Sequence, residues 1–186
     1  IFLDTFVAPP PGTLRTDVPF SGPFVPDFPY AISGRYSNGP VWAEQFAGSL
    51  GLSALPSLAG GTNYAFGGAT TGPSGSSFPF SLRDQVSSYL GKVGGVASAS
   101  ALYVVEGGGN DARDALDIAR LGGDPTSLIT GYAANIATII SQLKTAGAHD
   151  ILLWNIPDIG KTPSVQAFGP TASAAATGIV MAMNMA

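Results

Sequence analysis

Ala101-Leu102-Tyr103-Val104-Val105-Glu106-Gly107-Gly108-Gly109-Asn110-Asp111 is the stretch on which the fold turns. Five apolar residues run together and stop at once in three glycines. So short a run, rich in Val and aromatic character, predicts a buried strand that empties into a tight loop. Downstream, Asp124-Pro125 can cap a helix whose Leu128, Tyr132, Ile136, Ile139, Ile140 and Leu143 form one apolar stripe up to Gly147. That spacing predicts a core face. Ile151 to Trp154 then reads as a second buried strand, closed by Asn155-Ile156-Pro157 and Gly160.

Upstream, Leu82, Val86 and Leu90 recur every four residues and predict a helix from Ser81 to about Leu90, ended by Gly91, Gly94 and Gly95. Asn63 to Phe66 predicts a short strand entering a glycine loop. Pro40 to Leu50 predicts a helix with Pro40 in its first turn and Val41, Trp42, Phe46 and Leu50 on one buried face. Before it, Pro9, Pro10, Pro11, Pro19, Pro23, Pro26 and Pro29 remove backbone donors, so residues 1 to about 36 are expected to form a long irregular loop, pinned by Phe20, Phe24, Phe28 and Tyr30. Ala172 to Ala186 predicts a further helix. Strand, helix, strand, helix, strand implies βαβ units, hence an α/β fold with a parallel sheet covered on both faces.

Composition narrows the function. A chain of 186 residues suits one domain, and residues 1–186 are read as a single domain. Charged residues make up 11%, against roughly 25% in an average soluble domain, and 45% are hydrophobic, so collapse is favoured over disorder. Eight Lys and Arg, without a cluster, at a net charge of −4 leave no footprint for a phosphate backbone, and nucleic acid is excluded as a partner. There is no cysteine, and a single histidine among scattered carboxylates gives no metal-ligand spacing, so neither metal nor cofactor is expected. No apolar run is long enough for a transmembrane helix. The small, polar, low-charge composition suits a secreted or envelope protein.

In an open parallel sheet ligands bind beyond the carboxyl ends of the strands, and two glycine loops fall there: Asn63-Tyr64-Ala65-Phe66-Gly67-Gly68-Ala69-Thr70-Thr71 and Gly107-Gly108-Gly109-Asn110-Asp111. Glycine lets a backbone N–H approach a reacting group, and an asparagine amide supplies a second donor. Two donors from different loops are what acyl transfer needs, because negative charge develops on one oxygen.

In combination, four segments resemble one family in the right order. Gly34-Arg35-Tyr36-Ser37-Asn38-Gly39-Pro40-Val41-Trp42 is similar to the Gly-Arg-Phe-Ser-Asn-Gly segment of SGNH (GDSL-type) esterases and lipases. Asn63 to Thr71 resembles their second block, Gly108-Gly109-Asn110-Asp111 their third block, and Asn155-Ile156-Pro157-Asp158-Ile159-Gly160-Lys161-Thr162-Pro163 a later Asn-Leu-Pro-x-Leu-Gly-x-Thr-Pro stretch. The resemblance implies a three-layer α/β/α fold with a flavodoxin-like parallel sheet, present here in incomplete form. It implies hydrolysis of acyl esters or lipids through a Ser, His, Asp triad. By the same resemblance the Gly68 N–H and the Asn110 side-chain amide are the oxyanion donors, and Asp111 braces their loop.

The sequence departs from the family in two places. It contains no Gly-Asp-Ser and no Asp-x-x-His, so the chain is expected to be cut at both ends and inactive alone. His149 has Ala146 three residues before it and is read as a surface turn residue, since a lone histidine without an orienting carboxylate is seldom catalytic. Glu106 beside the donors would oppose developing charge, and is expected to face solvent or pair with Arg113. The rival readings are a non-catalytic binding or structural derivative of the same fold and a nucleotide-binding domain; the second lacks any Gly-x-Gly-x-x-Gly or Walker pattern.

Overall fold

A computed structural model describes residues 39–74 and 79–186. The proline-rich stretch, with its aromatics, and residues 34–38 of the Gly-Arg-Tyr-Ser-Asn-Gly segment lie outside the described residues. The elements in chain order are α1 (Trp42–Ser49), α2 (Leu82–Lys92), β1 (Leu102–Val105), α3 (Gly109–Arg120), α4 (Thr126–Thr145), β2 (Asp150–Leu153), α5 (Pro163–Gln166) and α6 (Pro170–Met185), with single 3₁₀ turns at Ser57–Ala59 and Ile159–Lys161.

β1 and β2 pair in parallel, Leu102 opposite Asp150 through Val105 opposite Leu153. Among the described residues the sheet has these two strands, so the wide sheet of the expected three-layer fold is present only in part. Side chains alternate across β1 as the period of two requires. Tyr103 and Val105 enter a core shared with Leu82 and Val86 of α2, Ala112, Ala115 and Leu116 of α3, Ile136, Ile139 and Leu143 of α4, and Ala176, Ile179 and Met183 of α6. Val104 is buried on the other face. The apolar stripe of α4 thus packs as its spacing predicts.

Three expectations need correction. Asn63 to Phe66 is not a strand: Asn63 makes an isolated parallel bridge with Pro56, and its buried side chain turns back to accept the Ala65 N–H at 3.0 Å. β2 is not buried: Leu152 and Leu153 are exposed, because no further strand lies beside it among the described residues. α1 forms, but of its residues only Ala43 is buried, while Phe46 and Leu50 are exposed. Trp42 instead stacks on Trp154, ring centroids 4.9 Å apart, which ties α1 to the end of β2.

α3 was not legible as a helix. Gly108, with φ of 104°, caps it, and Asn110 and Asp111 stand in its first turn rather than in a loop. A side chain at Gly108 would have to displace its neighbours. A Cβ there would come within 2.5 Å of Tyr132 and 2.7 Å of Ile156, in a backbone region that L residues rarely enter. The chain after β2 is held by α6: the Asn184 amide donates to the Ile156 carbonyl at 2.9 Å and accepts the Ile156 N–H at 2.8 Å. Asp158 accepts from Gly160 N at 3.0 Å and from Thr177 Oγ1 of α6 at 2.9 Å.

Candidate active site

Parallel pairing puts the exits of β1 and β2 at the same end of the sheet, and a cleft of about 450 Å³ opens there. Its walls come from four places in the sequence. The glycine loop gives Phe66 to Ala69, the segment after β1 gives Glu106 to Asn110 with Arg113, and the segment after β2 gives Pro157 and Ile159. Leu82 and Gln85 of α2 complete it. Gly68 and Asn110, 42 residues apart in sequence, therefore line one cleft.

The local chemistry of the two residues differs. Gly68 has a positive φ of 82° and is exposed, and its N–H meets no acceptor among the described residues. Asn110 is half-buried, and its Nδ2 donates to the Ala69 carbonyl at 2.8 Å. An amide nitrogen carries two hydrogens, so this bond orients the group and leaves the second hydrogen for a ligand. The first turn of α3 adds backbone N–H groups without intrahelical acceptors, at the positive end of the helix dipole.

Asp111 follows Asn110 and is buried, as is Thr71. The Thr71 N–H donates to the Asp111 carboxylate at 3.1 and 3.2 Å and the Thr71 hydroxyl at 2.6 Å, joining the glycine loop to α3. Asp111 thus braces the loop as the sequence implied. Burial, and after it the negative charge of Asp111, hold the Tyr132 phenol above its ordinary value.

Gln85 is buried at the cleft wall, its Nε2 donating to the Phe80 carbonyl at 2.7 Å. Glu106 does not lie on the open surface: it is half-buried and shares the cleft with Arg113. His149 is exposed, in the turn leading into β2, at the opposite end of the strand from the cleft. Arg113, Gln85, Pro157 and Ile159 were missed as cleft residues. Arg113 stands three residues after Asn110 and so on the same face of α3, a relation that only the observed helix reveals. Among the described residues no group of three or more His, Asp or Glu gathers to hold a metal, and no helix is long and apolar enough to cross a membrane.

The comparisons with known proteins bear on this cleft. The chain is 34% identical over 143 residues to Lipase 1 of Photorhabdus luminescens, an alignment covering 73% of this chain and 22% of that protein. It is 27% identical over 167 residues to an uncharacterized protein in the trpE-trpG intergenic region of Pseudomonas putida, covering 82% of this chain and 27% of that one. The chain spans about a quarter of the length of these relatives. The family model of the GDSL-like lipases and acylhydrolases matches residues 22–185, which takes in every wall of the cleft, and the chain belongs to that family.

Proposed function

We propose that the cleft is the oxyanion half of a carboxylic ester hydrolase acting on acyl esters or lipids. The observation that carries this reading is the convergence of an unengaged Gly68 N–H with an Asn110 amide already oriented by Ala69. In the reaction a serine oxygen attacks the acyl carbonyl, its proton passing to a histidine. The carbonyl oxygen takes up negative charge, which Gly68 and Asn110 stabilise. Donors fixed in advance favour that charge over the ground-state carbonyl and do not need to reorganise when it forms. The intermediate then collapses: the ester C–O bond breaks, and the alcohol leaves with the proton held by the histidine. Water, giving a proton to the same histidine, next attacks the acyl-enzyme, and the acid departs as the serine takes its proton back. The low-charge composition alone is the basis for proposing a place outside the cell or in its envelope.

The nucleophile and base would belong to Gly-Asp-Ser and Asp-x-x-His segments, neither of which occurs within these 186 residues. That observation also favours the rival, a derivative that keeps the cleft for binding. One experiment separates the two. The 186-residue chain should neither turn over a p-nitrophenyl butyrate nor be labelled by a fluorophosphonate. A form joined to the two segments should do both. Labelling of a serine in the chain alone would refute the placement of the nucleophile, and a joined, folded form that stays inert would favour the binding derivative.

A further inference from the structure

We infer that Asp111 and Thr71 are positioning residues that set the spacing between the two oxyanion donors, an inference that rests on the ester-hydrolase reading. Asp111 is only 7% exposed and Thr71 fully buried. A buried carboxylate is costly unless its lone pairs are satisfied, and here three contacts from one residue satisfy it. It also stands in the first turn of α3, where the helix dipole favours an anion.

The placement of this clasp is what gives it a role beyond support. Asn110 and Asp111 are consecutive, and each grips the other loop: Asn110 holds the Ala69 carbonyl and Asp111 holds both hydrogen-bond donors of Thr71. Between those grips, the Thr70 carbonyl accepts the Leu82 N–H at 2.9 Å. Gly68 is the next residue along and is exposed, without a side chain to anchor it. It lies in the turn closed by the Ala69 N–H on the Phe66 carbonyl at 3.3 Å, with Phe66 buried on one side of it and residues 69 to 71 clasped to α3 on the other, so its position relative to Asn110 is set in part by that clasp. Removing the clasp takes away the one tie that runs from Asp111 to the loop carrying the other donor, and the separation of the pair is less closely held.

The test uses the 186-residue chain, with methylphosphonate as a tetrahedral oxyanion probe followed by amide NMR. In the wild type, titration should shift the Gly68 N–H and the Asn110 side-chain amide saturably. Thr71→Val removes the hydroxyl donor at nearly constant volume, and Asp111→Asn removes the charge; each should weaken the probe by about tenfold. Thr71→Ser keeps the hydroxyl and should restore wild-type affinity, which a purely packing role would not require. The α4 amides should stay in place throughout, reporting an intact core. If the wild type itself shows no shift at Gly68 and Asn110, the oxyanion reading falls and this inference with it. If the wild type binds and Thr71→Val binds equally well, only the positioning role is overturned. Should Asp111→Asn fail to fold, the Thr71 pair decides alone.

Discussion

Asn110 and His149 stand in different environments, and the proposed function gives them different roles. Asn110 lines the cleft with one amide hydrogen to spare, whereas His149 lies exposed at the far end of β2. In a form that carries the serine and histidine segments, Asn110→Ala should lower kcat about 10²–10³-fold with a smaller change in KM, because the lost donor acts on the transition state. His149→Ala should change the rate little. Steady-state kinetics at equal folded fraction checks both, and a normal kcat for Asn110→Ala would remove its assigned role. Gly108 gives a prediction about stability. Alanine there must enter a φ of 104° and displace Tyr132 and Ile156, so Gly108→Ala should destabilise by about 1–3 kcal/mol. Gly109, in the adjoining helical position, has open space around a Cβ, and Gly109→Ala should be tolerated in the same denaturant titration.

Among the elements, α2 is fixed at its start by a carboxylate. Ser81 Oγ accepts the Asp84 N–H at 3.2 Å and donates to Asp84 Oδ2 at 2.6 Å. The same oxygen accepts the Ser74 N–H at 2.9 Å and the Ser74 hydroxyl at 2.6 Å. Ser81→Ala should therefore cost roughly 0.5–2 kcal/mol in thermal or denaturant unfolding, the usual range for a lost N-cap. This helix was plain in the sequence because Leu82, Val86 and Leu90 recur every four residues. α3 was not, because its cap is a glycine whose left-handed conformation leaves no side-chain signature, and three consecutive glycines read as a loop. Its buried face is built from Ala112, Ala115 and Leu116, too small to stand out against the charged residues between them. β1 and β2 were both found, but a short apolar run does not reveal whether its strand is flanked by neighbours, so the exposure of Leu152 and Leu153 was not legible. The pairing of Gly68 with Asn110 was legible only through the family resemblance. Thr71, the partner of Asp111, carried no local signal, since the contact spans 40 residues.

For the whole molecule, two titrating groups contribute to the dependence of stability on pH, one at each end. Burial alone would raise the Asp84 carboxyl, but hydrogen bonds from Ser74 and Ser81 outweigh it and hold the group below its ordinary 3.8. Its folded value is depressed, so its contribution is complete above the unfolded value and is lost as pH falls below about 3.8 through the folded one. At the other extreme, burial and then the Tyr89 hydroxyl push Tyr103 up to about 12 from 10.0. Its folded value is raised, so its contribution is complete below pH 10.0 and is lost as pH rises toward about 12. Melting temperature across pH should thus fall at both ends. Asp84→Asn should flatten the acid limb and Tyr103→Phe the alkaline limb, each without altering the other. The Asn184 bridge to Ile156 bears on the order in which the molecule comes into being. Ile156 belongs to the segment that, through Pro157 and Ile159, walls one side of the cleft, and both of its peptide groups are satisfied by a side chain made 28 residues later. The glycine loop and α3 are complete in the sequence by Arg120, whereas this wall has its partner only once Asn184 is made. A chain ending before Asn184 should therefore hold Gly68 and Asn110 together while leaving the Ile156 wall without its partner.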